Sequence, residues 1–317
     1  MLAYIVKRCA VAAVMIFMVA TAVFMILHVV PGDPVEVMLS ADGGKPDPAV
    51  AAELRTRLGL DRPLAEQYAS YLSRLARGDL GRSFLDNEPV LKNIAQRLPR
   101  TLELIGAATI LSLLVGIPLG VLAARNRGRG IDRVLGTATS LALSVPTFVL
   151  GTLFILVFAL LLRIAPAGGF VPFSQSPATH LTLLLMPATA VAVGLSAIII
   201  RMTRSTVLDV LQQDWVRTAR AKGLREPRVL RRHVVRNALG PVLTVTGLQM
   251  GSMLGGTVLV EFIFNWPGMS GFLVRAVEHR DYPEVQGVVL VTATLFILLN
   301  LVVDVLYSVL DPQVRAS

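Results

Sequence analysis

Charge is what this sequence has least of. Of its 317 residues, 16% are Asp, Glu, Lys or Arg, where a soluble globular chain carries roughly 25%. The shortage is uneven: the charges fall in blocks, and between the blocks run long stretches with almost none. Cysteine occurs once, at Cys9 inside the first such stretch, which excludes an internal disulfide and leaves a packing role as the expectation. The four histidines, at positions 28, 180, 233 and 279, have no metal-ligand spacing. The phosphate-cradling pattern GxxxxGK followed by Ser or Thr is missing, so the chain is not expected to be an ATPase. HExxH, GxSxG and paired aspartates in neighbouring apolar runs are missing as well, which argues against an intramembrane enzyme.

What the sequence has is apolar length. A helix needs about 20 residues to cross the hydrocarbon core. Cys9 to Val30 carries no Asp, Glu, Lys or Arg and reads as an uncleaved first span, too long for the apolar core of a signal peptide. Five more spans are expected, at about Thr101–Ala124, Val134–Leu162, Leu181–Ile200, Asn237–Val260 and Val285–Leu310. The third contains "SVPTF", so a kink is expected at Pro146.

Orientation follows from short basic loops. With both termini inside, the inner segments hold 17 Lys and Arg and the short outer segments hold three. Residues 31–100 are left out, because segments of that length translocate largely regardless of charge. The formal charge of +9 is thereby explained by inner loops, without recourse to nucleic acid. The outer segment reads as helical. Asp47, Pro48 and Gly59 bracket one short helix. Pro63, the stripe Leu64, Tyr68, Tyr71, Leu72, Leu75, and Gly78 mark another.

One polar stretch stands out between the fourth and fifth spans: "DWVRTARAKGL", Asp214 to Leu224. Asp214 suits an N-cap, Gly223 a left-handed stop, and Trp215 and Ala219 lie four apart on one face. At two to three turns the helix is too short to stand alone in water. A second helix is expected to begin at Glu226-Pro227, with Arg228, Arg231, Arg232 and Arg236 as one basic stripe. Attraction of that stripe to anionic headgroups is the plainer reading.

This stretch resembles the cytoplasmic loop of ABC-importer permeases, whose pattern is Glu-Ala-Ala, three residues, Gly. The aligned residues are Arg217-Thr218-Ala219, Arg220-Ala221-Lys222 and Gly223. Replacement of the Glu and first Ala resembles the dipeptide, oligopeptide and nickel branch. "VPGDP" (Val30 to Pro34), Leu58 to Phe84, "RLPRTLEL", "GIPLGVLAA", "LSVPTFVLGTL" and "VEFIFNWPGMSGFL" (Val260 to Leu273) support it in order along nearly the whole chain.

The resemblance implies an all-α polytopic protein with the type I importer permease fold: six transmembrane helices, N-in and C-in, in a bacterial or archaeal cytoplasmic membrane. Its parts would be a first span (1–30), an extracytoplasmic helical insert (31–100) and a five-helix core (101–317) with the coupling loop 201–236. It implies a non-catalytic subunit binding no cofactor. ATP and Mg would be used by two partner ATPase subunits, or one fused chain. Asp214, Trp215, Arg217, Thr218, Ala219, Arg220, Ala221, Lys222, Gly223 and Leu224 would couple hydrolysis to transport. The other partners implied are a second permease, an extracytoplasmic solute-binding protein and membrane lipid.

Peptides are the expected solute, with nickel complexes or glutathione as alternatives. An ion-coupled carrier or a channel is the remote rival, which lack of ATP dependence would reveal. Ionisable groups in spans are costly and often functional. Glu261 and Asp304, with Pro146, Trp266, Pro267 and Gly268, are therefore candidates for the path or its gate. For Glu103 and Glu261 a place among headgroups stays open, and for Trp266 an interfacial anchor.

Overall fold

A computed structural model describes residues 2–29, 35, 39 and 48–310. "VPGDP", Asp47 and Arg315 lie outside the described residues, as does the side chain of Asp304. Regular structure among the described residues is helical, apart from one antiparallel bridge between Arg82 and Pro89. In chain order the helices are α1 (Leu2–Val29), α2 (Pro48–Leu58), α3 (Leu64–Ala76), α4 (Val90–Arg125), α5 (Gly130–Ser144), α6 (Thr147–Phe154) and α7 (Pro177–Leu211). They continue with α8 (Asp214–Ala221), α9 (Arg236–Gly256), α10 (Val258–Ile263), α11 (Met269–Glu278) and α12 (Tyr282–Leu310). Two π-helical stretches, Ile155–Leu161 and Val229–Val235, are built into this order.

Four described helices are long and apolar enough to cross a membrane: Val6–Ile26, Val90–Arg125, Pro177–Leu211 and Tyr282–Val302. They become five if α5 and the helix from Thr147 to Leu161 count as one span; that pair is bent by 98°. The bend falls where a kink was expected. Proline has no N–H and drives its predecessor out of the helical region, and Val145 is extended at φ −93°, ψ 123°. The region of the fifth expected span is helical as α9 and α10 but is not among these helices.

The chain forms two compact units. One contains Thr101–Trp266 and residues 299–310. Its pillar is α7, begun by Ser176, whose hydroxyl accepts from Thr179 N–H, and by Pro177 at the first turn. Met186, Ala190, Val191 and Ala192 of α7 pack with Ala108 of α4 and with Val260 and Phe264. The approach of α4 to α7 depends on two glycines. A Cβ at Gly116 would stand 2.5 Å from Ile199 Cγ2, and one at Gly120 2.5 Å from Thr203 Cβ. Spaced four apart, they let two backbones come close, as small residues do between helices in lipid. Ser112 Oγ uses the proximity, reaching the Ala192 carbonyl at 3.1 Å.

The other unit contains Leu2–Arg100 and Pro267–Leu298. Tyr71 of α3 is buried with Ala20 and Phe24 of α1 and Leu290 of α12, and Tyr68, Leu72 and Leu75 border the cluster. Leu64, the first residue of the expected stripe, is exposed. Gly59 and Gly78 do end α2 and α3 in the left-handed region, at φ 71° and 74°. Cys9 departs from its expected packing role and is exposed. Helix α1 presents most of its surface outward, with 22% of its apolar window buried.

The second node of this unit is polar. Asp281, fully buried, accepts from Ser83 Oγ at 2.6 Å, Phe84 N–H at 2.9 Å and Leu85 N–H at 3.4 Å. Its other oxygen accepts from Glu284 N–H at 3.2 Å. Burial pushes its pKa up, and these donors pull the other way. Beside it, Gly287 lets α12 touch α4: a Cβ there would stand 2.5 Å from Val90 Cγ1.

Candidate functional site

Helix α8 forms where the sequence places it, over Asp214–Ala221. Its inward face is Val216 and Ala219, both buried. They pack with Ala124 of α4, Val207 of α7, Val229, Val234 and Ala238. This apolar seat supplies what a two-turn helix lacks in isolation. The C-terminus is closed by a Schellman motif: Leu224 N–H reaches the Ala219 carbonyl at 3.4 Å and Gly223 N–H the Arg220 carbonyl at 2.9 Å. Gly223 takes φ 78°, as this stop requires.

One detail differs from expectation. Gln213, extended at φ −70°, ψ 143°, is the N-cap, and Asp214 is the first helical residue. The Asp214 carboxylate lies 3.4 Å from Arg217 Nη1 and does not cap. It still suits the first turn, where the helix dipole is positive. Trp215 and Ala219 are neighbours on the helix as expected, and of the two only Ala219 is buried. The inward stripe is centred between Val216 and Ala219, and successive residues turn by about 100°, so Trp215 falls on its flank and is 42% exposed.

Arg220 grips Glu226 with two hydrogen bonds, 3.1 and 2.7 Å, closing the loop between α8 and the next turn. Its guanidinium holds the Glu226 carboxyl below the usual carboxylate range. Arg217, Thr218, Ala221 and Lys222 are exposed, as are Arg228, Arg231, Arg232 and Arg236. The basic stripe is not spaced as expected, because Val229–Val235 is π-helical. Its wider turns open the i, i+3, i+4 geometry.

Among the residues proposed for the path, Glu261 and Trp266 come together in the α7 unit. Glu261 is 1% exposed; its carboxylate accepts from Thr101 Oγ1 at 2.6 Å and its carbonyl from Trp266 N–H at 2.8 Å. Trp266 is no interfacial anchor in this fold. At 2% exposed, its indole is enclosed by Leu104, Leu184 and Ala188, and Phe170 meets it edge-on at 5.1 Å. Apolar walls from three segments take up the large ring. Pro146 is exposed at the break between α5 and α6. In the other unit, the Pro267 carbonyl accepts from Arg100 at 3.3 Å, and Gly268 is buried just before α11.

A family model described as binding-protein-dependent transport system inner membrane component matches residues 116–316. The model for the N-terminal part of such components matches residues 1–105. The chain belongs to this permease family. The permease is similar to the di/tripeptide transport system permease protein DppB of Pseudomonas aeruginosa (strain UCBPP-PA14), 41% identical over 335 residues and covering 99% of each chain. It is 39% identical over 315 residues to the glutathione transport system permease protein GsiC of Escherichia coli (strain K12), again over 99% of each. Among solved structures, an inward-facing MetNI methionine ABC transporter chain superposes with a TM-score of 0.54 at 15% identity. That match covers 70% of the permease and 97% of the MetNI chain, and shows a shared fold.

The permease also has a polar pair that its sequence did not reveal. His180, fully buried, places Nε2 at 2.7 Å from Glu103 and Nδ1 at 2.7 Å from the Val171 carbonyl. Phe170, Phe173 and Trp266 surround the imidazole edge-on, at 5.6 to 5.7 Å. Both residues were visible near span ends on the same expected side; their pairing, 77 positions apart, has no local signature. Among the described residues no group of His, Cys, Asp and Glu is arranged to hold a metal ion.

Proposed function

We propose that this permease is one of two membrane subunits lining the path of an ATP-driven importer for peptides. They would be delivered by an extracytoplasmic binding protein. The 41% identity to a di/tripeptide permease supports peptides; the glutathione relative favours a second reading, glutathione itself. Two ATPase subunits beneath hydrolyse ATP with Mg, and this chain binds no cofactor. Six spans carry both termini to the cytoplasm, 31–100 is a helical outer insert, and 101–317 is the core containing the coupling loop 201–236.

The observation that carries the reading is the seating of α8. Its inner face is locked into the chain through Val216 and Ala219, and its outer face offers Trp215, Thr218, Ala221 and Lys222. A short rigid element so held can pass movement of an ATPase to α4, α7 and α9, provided the ATPase contacts it differently in two states. Glu261, Trp266, Pro267 and Gly268 are assigned to the outer gate, Pro146 to the path, and Asp304 remains a path candidate.

The test is ATP-dependent uptake of radiolabelled dipeptide by the complete transporter in proteoliposomes. Trp215→Asp keeps the seat intact, and we expect uptake to fall at least tenfold with the subunits still co-purifying. Ala219→Asp is a poorer probe than the sequence suggests, because Ala219 is buried and a carboxylate there would unseat the helix. Full uptake by Trp215→Asp would remove α8 from the coupling path.

A further inference from the structure

The α7 unit contains an apolar groove of about 450 Å³ between α4, α5 and α7. Its walls include Leu111, Val115 and Leu119 of α4, Leu135 of α5, and Val193 and Ile200 of α7. Thr139 of α5 lines it too, and Thr139 Oγ1 accepts a hydrogen bond from Arg201 Nε at 3.2 Å. Arg201 Nη2 donates to Ser140 Oγ at 2.7 Å. Arg201, next in sequence to the lining residue Ile200, is thus tied by its guanidinium to the groove wall at Thr139.

That guanidinium is unlike its neighbour. Arg204, three residues on, is neutralised by a two-pronged pair with Asp132, at 2.6 and 2.9 Å. Arg201 meets only hydroxyls among the described residues, with no carboxylate against it, and is exposed. Its depth is equally telling. Leu181 to Ile200 is a run without acidic or basic residues, and Arg201 is the first charge beyond it. Twenty helical residues rise about 30 Å, the thickness of the hydrocarbon layer. Arg201 thus stands where apolar walls give way to headgroups.

We propose that this groove is a binding site for an anionic phospholipid, one acyl chain lying between α4, α5 and α7 and the phosphate meeting Arg201. A basic group closing a cleft between spanning helices is the recognised chemistry for an acidic headgroup. The guanidinium still has N–H groups to give, in a fork that matches two phosphate oxygens. A peptide solute fits these walls poorly, since its backbone groups would find almost no partners there. A helix from the second permease would bury Arg201 and would have to bring a carboxylate to it.

The test uses the complete transporter in nanodiscs of equal parts phosphatidylcholine and phosphatidylglycerol, with retained lipid counted by native mass spectrometry. The wild type is expected to retain phosphatidylglycerol in excess. Arg201→Gln, which removes the charge and retains an amide donor on the side of Thr139, should cut that preference about fivefold, and Arg201→Lys should restore most of it. Val193→Phe, which fills the groove, should reduce retention of both lipids. Unchanged phosphatidylglycerol preference in Arg201→Gln would overturn the proposal. So would efficient disulfide trapping of Val193→Cys to a cysteine on the second permease subunit, which would make the groove an interface between permeases.

Discussion

Helices α7 and α12 look alike as sequence and are held in opposite ways. Their apolar windows have mean hydropathies of 2.4 and 2.2, yet 72% of the first is buried and 22% of the second. Helix α7 is gripped along its length by close backbone approach, through Gly116, Gly120 and a succession of alanines. Helix α12 is gripped near its start, by the buried carboxylate of Asp281 and the contact at Gly287. Hydropathy reports that a segment prefers lipid to water. Which segment becomes the pillar is decided by small residues on the partner.

The sharpest way to break the comparison is to widen the α4–α7 contact. Gly120→Leu would drive a side chain into Thr203 and the Ile200 carbonyl, which a Cβ would already meet at 2.5 and 2.8 Å. A loss of about 3 kcal/mol or more is expected, read as thermal unfolding of the purified complex. Leu298→Ala on the exposed flank of α12 should cost well under about 1 kcal/mol. Next in size is Asp281→Ala, which leaves Ser83 and three backbone N–H groups without their acceptor. About 2–3 kcal/mol is expected, together with faster amide exchange at Phe84 and Leu85.

A smaller effect tests whether α8 is seated by its apolar face or by its ion pair. The Glu226 pKa is lowered by Arg220, so the stabilisation is present above the unfolded carboxylate pKa. It is lost as pH falls through the lower folded value. Both groups are largely exposed, so the contribution is small. Amide exchange in 214–224 should quicken only slightly between pH 6 and pH 3, by less than about fivefold. A collapse of protection over that range would show that the ion pair, and not Val216 and Ala219, holds the helix.

Much of this was legible locally. Gly59, Gly78 and Gly223 announced helix stops, Pro146 announced a break, and the bounds of α8 were readable from its own eleven residues. What escaped notice joins distant positions: Asp281 with Ser83, His180 with Glu103, Trp266 with Leu104 and Leu184. No periodicity encodes which two span ends will meet. The pair Trp215 and Ala219 was legible as neighbours, but an i, i+4 spacing does not state which of two residues the core will take, and it takes Ala219.

The π-helical stretch at Val229–Val235 has one more consequence. Each bond there spans five residues instead of four, so one extra amino acid is accommodated without advancing the coil, and the turns on either side keep nearly their phase. Removing a single residue from that stretch would let the spiral tighten to its ordinary pitch. The deletion would leave α9 in nearly its present phase, with Val242 and Thr246 still facing the partners that bury them, because the widened turn already absorbs that one residue. The segment therefore holds one residue of slack, where the same deletion in regular α-helix would turn everything after it by about 100°.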